Sequence, residues 1–343
     1  MKRNKLLYAV VSVLLCATMS ASAKSWRINN DETKGAHFVS INAAMSSEDV
    51  VAGDTLYLDP GCNIDGGTVY KSVTIIGCGY FRRNSPHKFA RITGTLKIAA
   101  PNVKIESVSC GTLELGINYN GQNSNGAVIE RCATGSISCS SNGADAQNVT
   151  VRQCYVSGSV GMGGSKTPGF VFENNIMITS DGQISSVGNN AIIRNNYIRA
   201  NKYDGAVYIN YSNVQVKNNI IINNSGNNSE FGGWADAPSN NNVIAHADPN
   251  GNNKSIGFTS VADFEAAVFA LTGLNDERYE LKSDSPAKGY ADDGGDCGPF
   301  GGEYPYVPGG MPMSAPYFTK ALIGEKATGN EISVTLQINQ QEQ

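Results

Sequence analysis

Four ionisable residues, Asp181, Arg199, Lys202 and Asp204, fall within 24 positions of one another, and both aspartates precede a glycine. Two carboxylates about 5 Å apart suit a retaining glycoside hydrolase, and the same pair could bind calcium for a lyase. Arg199 and Lys202 supply the fixed positive charge that would hold a carboxylated polymer. Tyr203, Glu230, Phe231 and Trp234 lie close by in sequence as ligand-binding candidates, with the aromatic rings suited to a sugar face. Asp-Gly is also an ordinary turn dipeptide, so a purely structural reading stands beside the chemical one.

What would position these residues is a repeat. GFVFENNIM from Gly169, NAIIRNNYI from Asn190 and NVQVKNNII from Asn213 are close copies, and looser ones begin at Ser72, Asn102, Gly126 and Asn148. From Asn102 the starts are 24, 22, 21, 21 and 23 residues apart, a period of stacked supersecondary units. Within each unit apolar and polar residues alternate, turn at or near Asn-Asn, and resume, which reads as strand, turn, strand and excludes helical repeats. The fold expected is all-β, a right-handed parallel β-helix (solenoid) with short capping helices at both ends.

Each repeat contributes an inward pair: Val103/Ile105, Ala127/Ile129, Val149/Val151, Phe170/Phe172, Ala191/Ile193 and Val214/Val216. Asn175, Asn196 and Asn219 share one turn column, where their amides can bond coil to coil. A second column, Glu106, Glu130, Arg152, Glu173, Arg194 and Lys217, is expected to face solvent as a ladder of ion pairs, each adding a fraction of a kcal/mol. The outward column Tyr155, Ile176, Tyr197, Ile220 is expected to be covered by the protein itself, with the strand Glu331–Ile338 as candidate cover, rather than to bind ligand.

The connection between the second strand of a coil and the next Gly-led strand lengthens along the stack. It has no residues before Gly111 or Gly135 and one before Gly158, then four, six and ten in the last coils. Loops growing on one edge make a lip, and functional residues concentrate on loops carried by rigid scaffolds. The four ionisable candidates sit on that lip.

The chain begins with a basic cluster, an apolar run from Leu6 to Ala17 and Ala21-Ser22-Ala23, the pattern of a secretory signal peptide cleaved after Ala23. The run is too short for a transmembrane span, and the large Leu15 before Cys16 speaks against lipidation. A secreted or cell-envelope location follows. Without Lys2, Arg3 and Lys5, 23 basic residues face 30 acidic ones, about −7, which disfavours nucleic acid or an anionic membrane as partner. Seven cysteines then remain. Cys132 and Cys154 fall in the asparagine turn column, where stacked side chains point the same way, so buried thiols are expected rather than a disulfide.

Residues 24–302 are assigned to the β-helix, with an N-terminal cap over 38–50 and a C-terminal cap over 260–302. Ser260 is the expected N-cap of a helix, with Asp263 in the capping-box place. Residues 303–343 form a Pro/Gly linker and a final strand. ADDGGDCG, Ala291–Gly298, carries three aspartates, read as a turn rather than a calcium loop because the spaced ligands are missing. The capping helix, GDTLYL, VTIIGCGYF, the NN-bearing coils and LKSDSPAKGYADDGGDCGPFGG resemble secreted Bacteroidetes-type right-handed parallel β-helix proteins of the pectin-lyase-like superfamily. The resemblance implies fold and lineage more than activity. No Asn-Thr-Asp, no Asp-Asp beside the coils and no His-Gly is present, so the polygalacturonase pattern is missing. His37, His87 and His246 are scattered and form no zinc motif. The reading is an exported protein recognising glycan or cell-surface polysaccharide. A polysaccharide lyase or hydrolase at the lip is the first alternative, and a structural envelope or adhesion protein the second. No cofactor is expected, calcium at the aspartate pair being the one alternative.

Overall fold

The computed structural model describes residues 23–81, 89–225, 229–233, 239–248, 251–273, 275–312, 317–323 and 334–339. The expected signal peptide, His87 and Trp234 lie outside the described residues. A ten-stranded parallel sheet runs from Ser25–Ile28 to Ser239–Asn240, and every rung pairs with the rung one coil away. Ile105, Ile129, Val151, Phe172, Ile193 and Val216 stand in one register column, all 0 % exposed. Each such side chain contributes about 2 kcal/mol of burial, and only stacking supplies the burial.

The remaining two faces of the coil begin as one. The long strands Arg91–Ile98, Ser109–Leu115 and Ala133–Cys139 bend around a corner, and beyond them the sheet forks. Ala133–Cys139 pairs with both Tyr155–Val156 and Val160–Gly161. From there the second face continues through Ile176–Ile178, Tyr197–Ala200 and Ile220–Asn223, the third through Ile184–Ser185, Val207–Ile209 and Phe231–Gly233. At the corner, a Cβ on Gly111 would stand 2.6 Å from the Gly94 carbonyl oxygen, and one on Gly135 2.4 Å from that of Gly111. Only glycine lets the backbones stack so closely there.

The turn between the first and second faces is built the same way from the coil of Lys104–Glu106 onward. Ser107, Arg131, Gln153, Asn174, Asn195, Asn218 and Asn241 all have φ between 51° and 61°, a conformation Asn tolerates best among non-glycine residues. The following residue points inward and forms the expected ladder, longer than the three asparagines read from sequence. Asn175 donates from both its backbone N–H (2.8 Å) and its amide (3.0 Å) to Asn196 Oδ1. Asn196 does the same to Asn219, Asn219 to Asn242 and Asn242 to Asn253. Asn253 closes on Asp248 Oδ2 at 2.7 and 2.9 Å.

Cys154 and Cys132 continue this column toward the N-terminus. The Cys154 N–H donates to Asn175 Oδ1, and the Cys132 N–H to the Cys154 sulfur at 3.4 Å. All seven cysteines from Cys62 to Cys297 carry free thiols. Burial pushes the Cys132 thiol well up, and those of Cys62, Cys110 and Cys297 to about 12. Thiol titration of denatured, unreduced protein should count seven, while folded protein at pH 8 should react mainly at the half-buried Cys78. Three disulfides in that count would refute the reading.

Two expectations need correction. The glutamates of the charge column are not solvated: Glu106, Glu130 and Glu173 are 3, 2 and 3 % exposed. Lys104, one coil back, reaches Glu130 at 2.6 Å, Arg152 reaches it at 2.7 Å, and the turn residue Arg131 meets Glu106 at 2.8 Å, so cations roof the carboxylates. The apolar outward column is covered by the protein as expected, but by a different segment. Ile176, Tyr197, Ile220 and Val243 are sealed by Phe264, Val268, Phe269, Tyr279 and Tyr306. The chain after the last coil returns along this flank. Val334–Asn339, within the expected cover, pairs instead with Tyr317–Ile323 in an antiparallel ribbon.

Short helices stand at both ends of the coil-forming chain. In α1 (Ile41–Ser46) the Ser40 hydroxyl accepts from Ala43 N–H, and Ile41, Ala44 and Met45 are buried. In α2 (Val261–Val268) Ser260 is the N-cap and Asp263 accepts from its hydroxyl, as expected. Besides ending the coil region, α2 lies on the flank, where Glu265 accepts from Tyr197 Oη at 2.6 Å. None of the described helices is long and apolar enough to cross a membrane.

Candidate functional site

The lip forms at the corner where the second and third faces part. Register aligns Ile178, Arg199 and Ile222 on one side of the corner and Ile184, Val207 and Phe231 on the other. The loops between them have no regular hydrogen bonding and need an anchor. Asn223, 0 % exposed, is that anchor. Its Oδ1 accepts from Lys202 N–H, and its amide donates to the Lys202 and Ser229 carbonyls and to Ser225 Oγ. The signal for Asn223 was a polar residue at an inward position of the run Ile220–Asn223.

Outside the anchor lies a groove of about 440 Å³ lined by Ser157, Thr179, Ser180, Arg199, Asn201 and Asn224. Its polar wall is made of hydroxyls and carboxamides, groups that both donate and accept, while Ile178, Ala200 and Val261 line the rest. Arg199 enters from the strand Tyr197–Ala200, and its Nη1 donates to Glu265 of α2 at 2.8 Å. Tyr197 and Arg199 thus converge on one buried carboxylate, which fixes the guanidinium as part of the wall.

Of the residues read from sequence, the structure brings Asp181 and Lys202 together, with Nζ 2.5 Å from Oδ1. Asp204 is exposed one rung further on, and the exposed Asp181 carboxylate pairs with the Lys202 ammonium group. Tyr203, between Lys202 and Asp204, is 71 % exposed. Glu230, expected to bind ligand, is 2 % exposed and faces inward, 2.6 Å from His246 Nδ1. Burial pushes its carboxyl above the usual range, and the bonds from His246 only partly oppose this. Phe231, expected beside it, is half-buried and packs on the main core. Phe231 turns toward the core because the strand Phe231–Gly233 pairs with Val207–Ile209, and Glu230, just before that strand, is held by His246.

The three aspartates of the 291–298 segment act as turn residues. Asp292 accepts from Lys217 Nζ and Asn218 Nδ2, Asp293 from Gly295 N–H, and Asp296 from Gly289 N–H and Lys288.

No known family model matches this sequence, and no curated protein matches it. Among solved structures, a pectate lyase mutant from Bacillus subtilis is similar with a TM-score of 0.42 and 11 % identity, over 82 % of this chain and 93 % of that one. A deglycosylated pectin methylesterase from Aspergillus niger is similar with a TM-score of 0.35 and 13 % identity, over 71 % of this chain and 94 % of that one.

Proposed function

We propose that the protein is an exported, non-catalytic binder of glycan or cell-surface polysaccharide, and that the lip is its binding surface. The observation that carries the reading is the groove itself, with the hydroxyls and amides of Ser157, Thr179, Asn201 and Asn224 in its wall; Tyr203, 71 % exposed, follows Asn201 by two positions in the same loop. Sugar hydroxyls need groups that donate and accept in turn, and a flat ring to stack on. A lyase would need its cations available to substrate, whereas Arg199 is held by Glu265 and Lys202 by Asp181. Those pairings weigh toward recognition over cleavage.

A glycan array, run beside detection of unsaturated and reducing-end products from polyuronides, tests this. The expected result is binding without product. Tyr203→Ala should weaken that binding about tenfold, the size of one lost stacking contact, with an unchanged melting temperature. A blank array would sink the proposal. Polyuronide turnover that disappears in Arg199→Ala would establish the lyase alternative instead.

A further inference from the structure

The other edge of the second face, away from the lip, carries a second cavity. There the returning tail crosses the column of αL asparagines. Three of the four are locked to it. Asn174 Nδ2 donates to the carbonyls of Pro299 (2.9 Å) and Gly301 (2.6 Å). Asn218 exchanges two bonds with Asp292, and Asn241 Nδ2 donates to the Tyr290 carbonyl. Asn195 differs: it is 4 % exposed, and its Nδ2 has no hydrogen-bond partner among the described residues. A buried donor left unpaired costs about 1–3 kcal/mol, so it marks a place where an acceptor is missing.

Asn195 lines a cavity of about 310 Å³ shared with Arg194, Lys217, Asp293, Gly302 and Glu303. Glycine keeps it open, since a Cβ on Gly302 would stand 3.1 Å from Asn195 Nδ2. The charges decide the ligand class. Arg194 is paired to Glu173 at 2.7 Å and Lys217 to Asp292 at 2.6 Å, so both cations are already neutralised. Asp293 and Glu303 meet no cation in an ion pair among the described residues. The remaining field is negative, which rejects a carboxylate or phosphate and leaves two acceptors opposite one buried donor. The space is several times that of one water, whose share of liquid is about 30 Å³.

We propose that this cavity binds a single sugar ring, neutral or bearing an ammonium group, seated between the asparagine column and the returning tail. One ring oxygen or hydroxyl accepts from Asn195 Nδ2, and hydroxyls or the ammonium donate to Asp293 and Glu303. This site is separate from the lip, and it stands or falls without it.

The test is calorimetric titration of the full protein with galactose and glucose, their 2-amino derivatives, and galacturonate and glucuronate. A hexose or hexosamine should bind saturably, with the matching hexuronate at least tenfold weaker. Asn195→Asp keeps the turn shape but replaces the donor by an acceptor, and should cut affinity at least tenfold. Glu303→Gln, at an exposed position, should weaken binding several-fold without touching the fold, and it decides the matter if Asn195→Asp does not fold. Tyr203→Ala should leave this binding unchanged. No saturable binding, a preference for the uronate, or affinity indifferent to Glu303→Gln would overturn the proposal. So would loss of binding in Tyr203→Ala alone, which would move the sugar to the lip, and so would a sugar-soaked crystal with only water on Asn195.

Discussion

Asn196→Ala is expected to destabilise the protein by about 4 kcal/mol, more than any surface change in the coils. The side chain is 0 % exposed and makes five hydrogen bonds. Its Oδ1 accepts twice from Asn175, and its Nδ2 donates to the Phe172 and Arg194 carbonyls and to Asn219 Oδ1. Truncation leaves the Asn175 backbone N–H buried with no acceptor and removes a donor from two buried carbonyls. Asn196→Asp should be no milder, because a carboxylate accepts from Asn175 but repels Asn219 Oδ1. Urea unfolding gives the answer. A midpoint shift worth under about 1 kcal/mol would mean that the amide column is ornamental to stability.

Glu130→Gln should cost about 2 kcal/mol at pH 7, because it removes the charge that the buried Arg131 and the part-exposed Lys104 and Arg152 share. Burial alone would push the Glu130 carboxyl up. Hydrogen bonds from Lys104 and Arg152, with the charges of Lys104 and Arg131, more than offset that and hold it below its usual 4.5. The sign follows from the direction. A folded-state pKa below the unfolded one stabilises above the unfolded value, and this is lost as pH falls through the folded value. The gap between wild type and Glu130→Gln should therefore be full above about pH 5 and shrink as the medium is acidified below about pH 4. A gap equally wide at pH 7 and pH 3 would place its origin in packing, not charge.

The coil core was legible because a solenoid repeats its environment. Phe172 and Ile193 see the same neighbours one rung apart, so period alone assigns both to the interior. The asparagine column was legible for the same reason, although its extension to Asn242 and Asn253 was not, because the last rungs lose the surrounding text. The returning tail was illegible. Gln153 meets the Pro305 carbonyl across 152 positions, and nothing periodic in a Gly- and Pro-rich segment announces such a contact. The same limit hid the burial of Glu130 and the Glu265–Arg199 pair, since both depend on what lies over the coil. At the lip, Asp181 and Lys202 were placed on one edge because they lie in successive connections that lengthen along the stack. Glu230 was misplaced because its partner His246 comes from the next coil, and only the strand pairing shows which way it turns.

The amide column also has a direction. Every Oδ1 accepts from the coil before it and every Nδ2 donates to the coil after it, so the side-chain dipoles add head to tail along the axis. The growing end therefore always presents a donor, and any chain segment offering an acceptor there would be drawn into register, as in a fibril. Asp248 occupies that position. Its Oδ2 accepts from both the backbone N–H and the amide of Asn253, so the donor end of the column meets an acceptor that is not another amide. The amide column thus ends within the chain on a carboxyl group rather than on another amide.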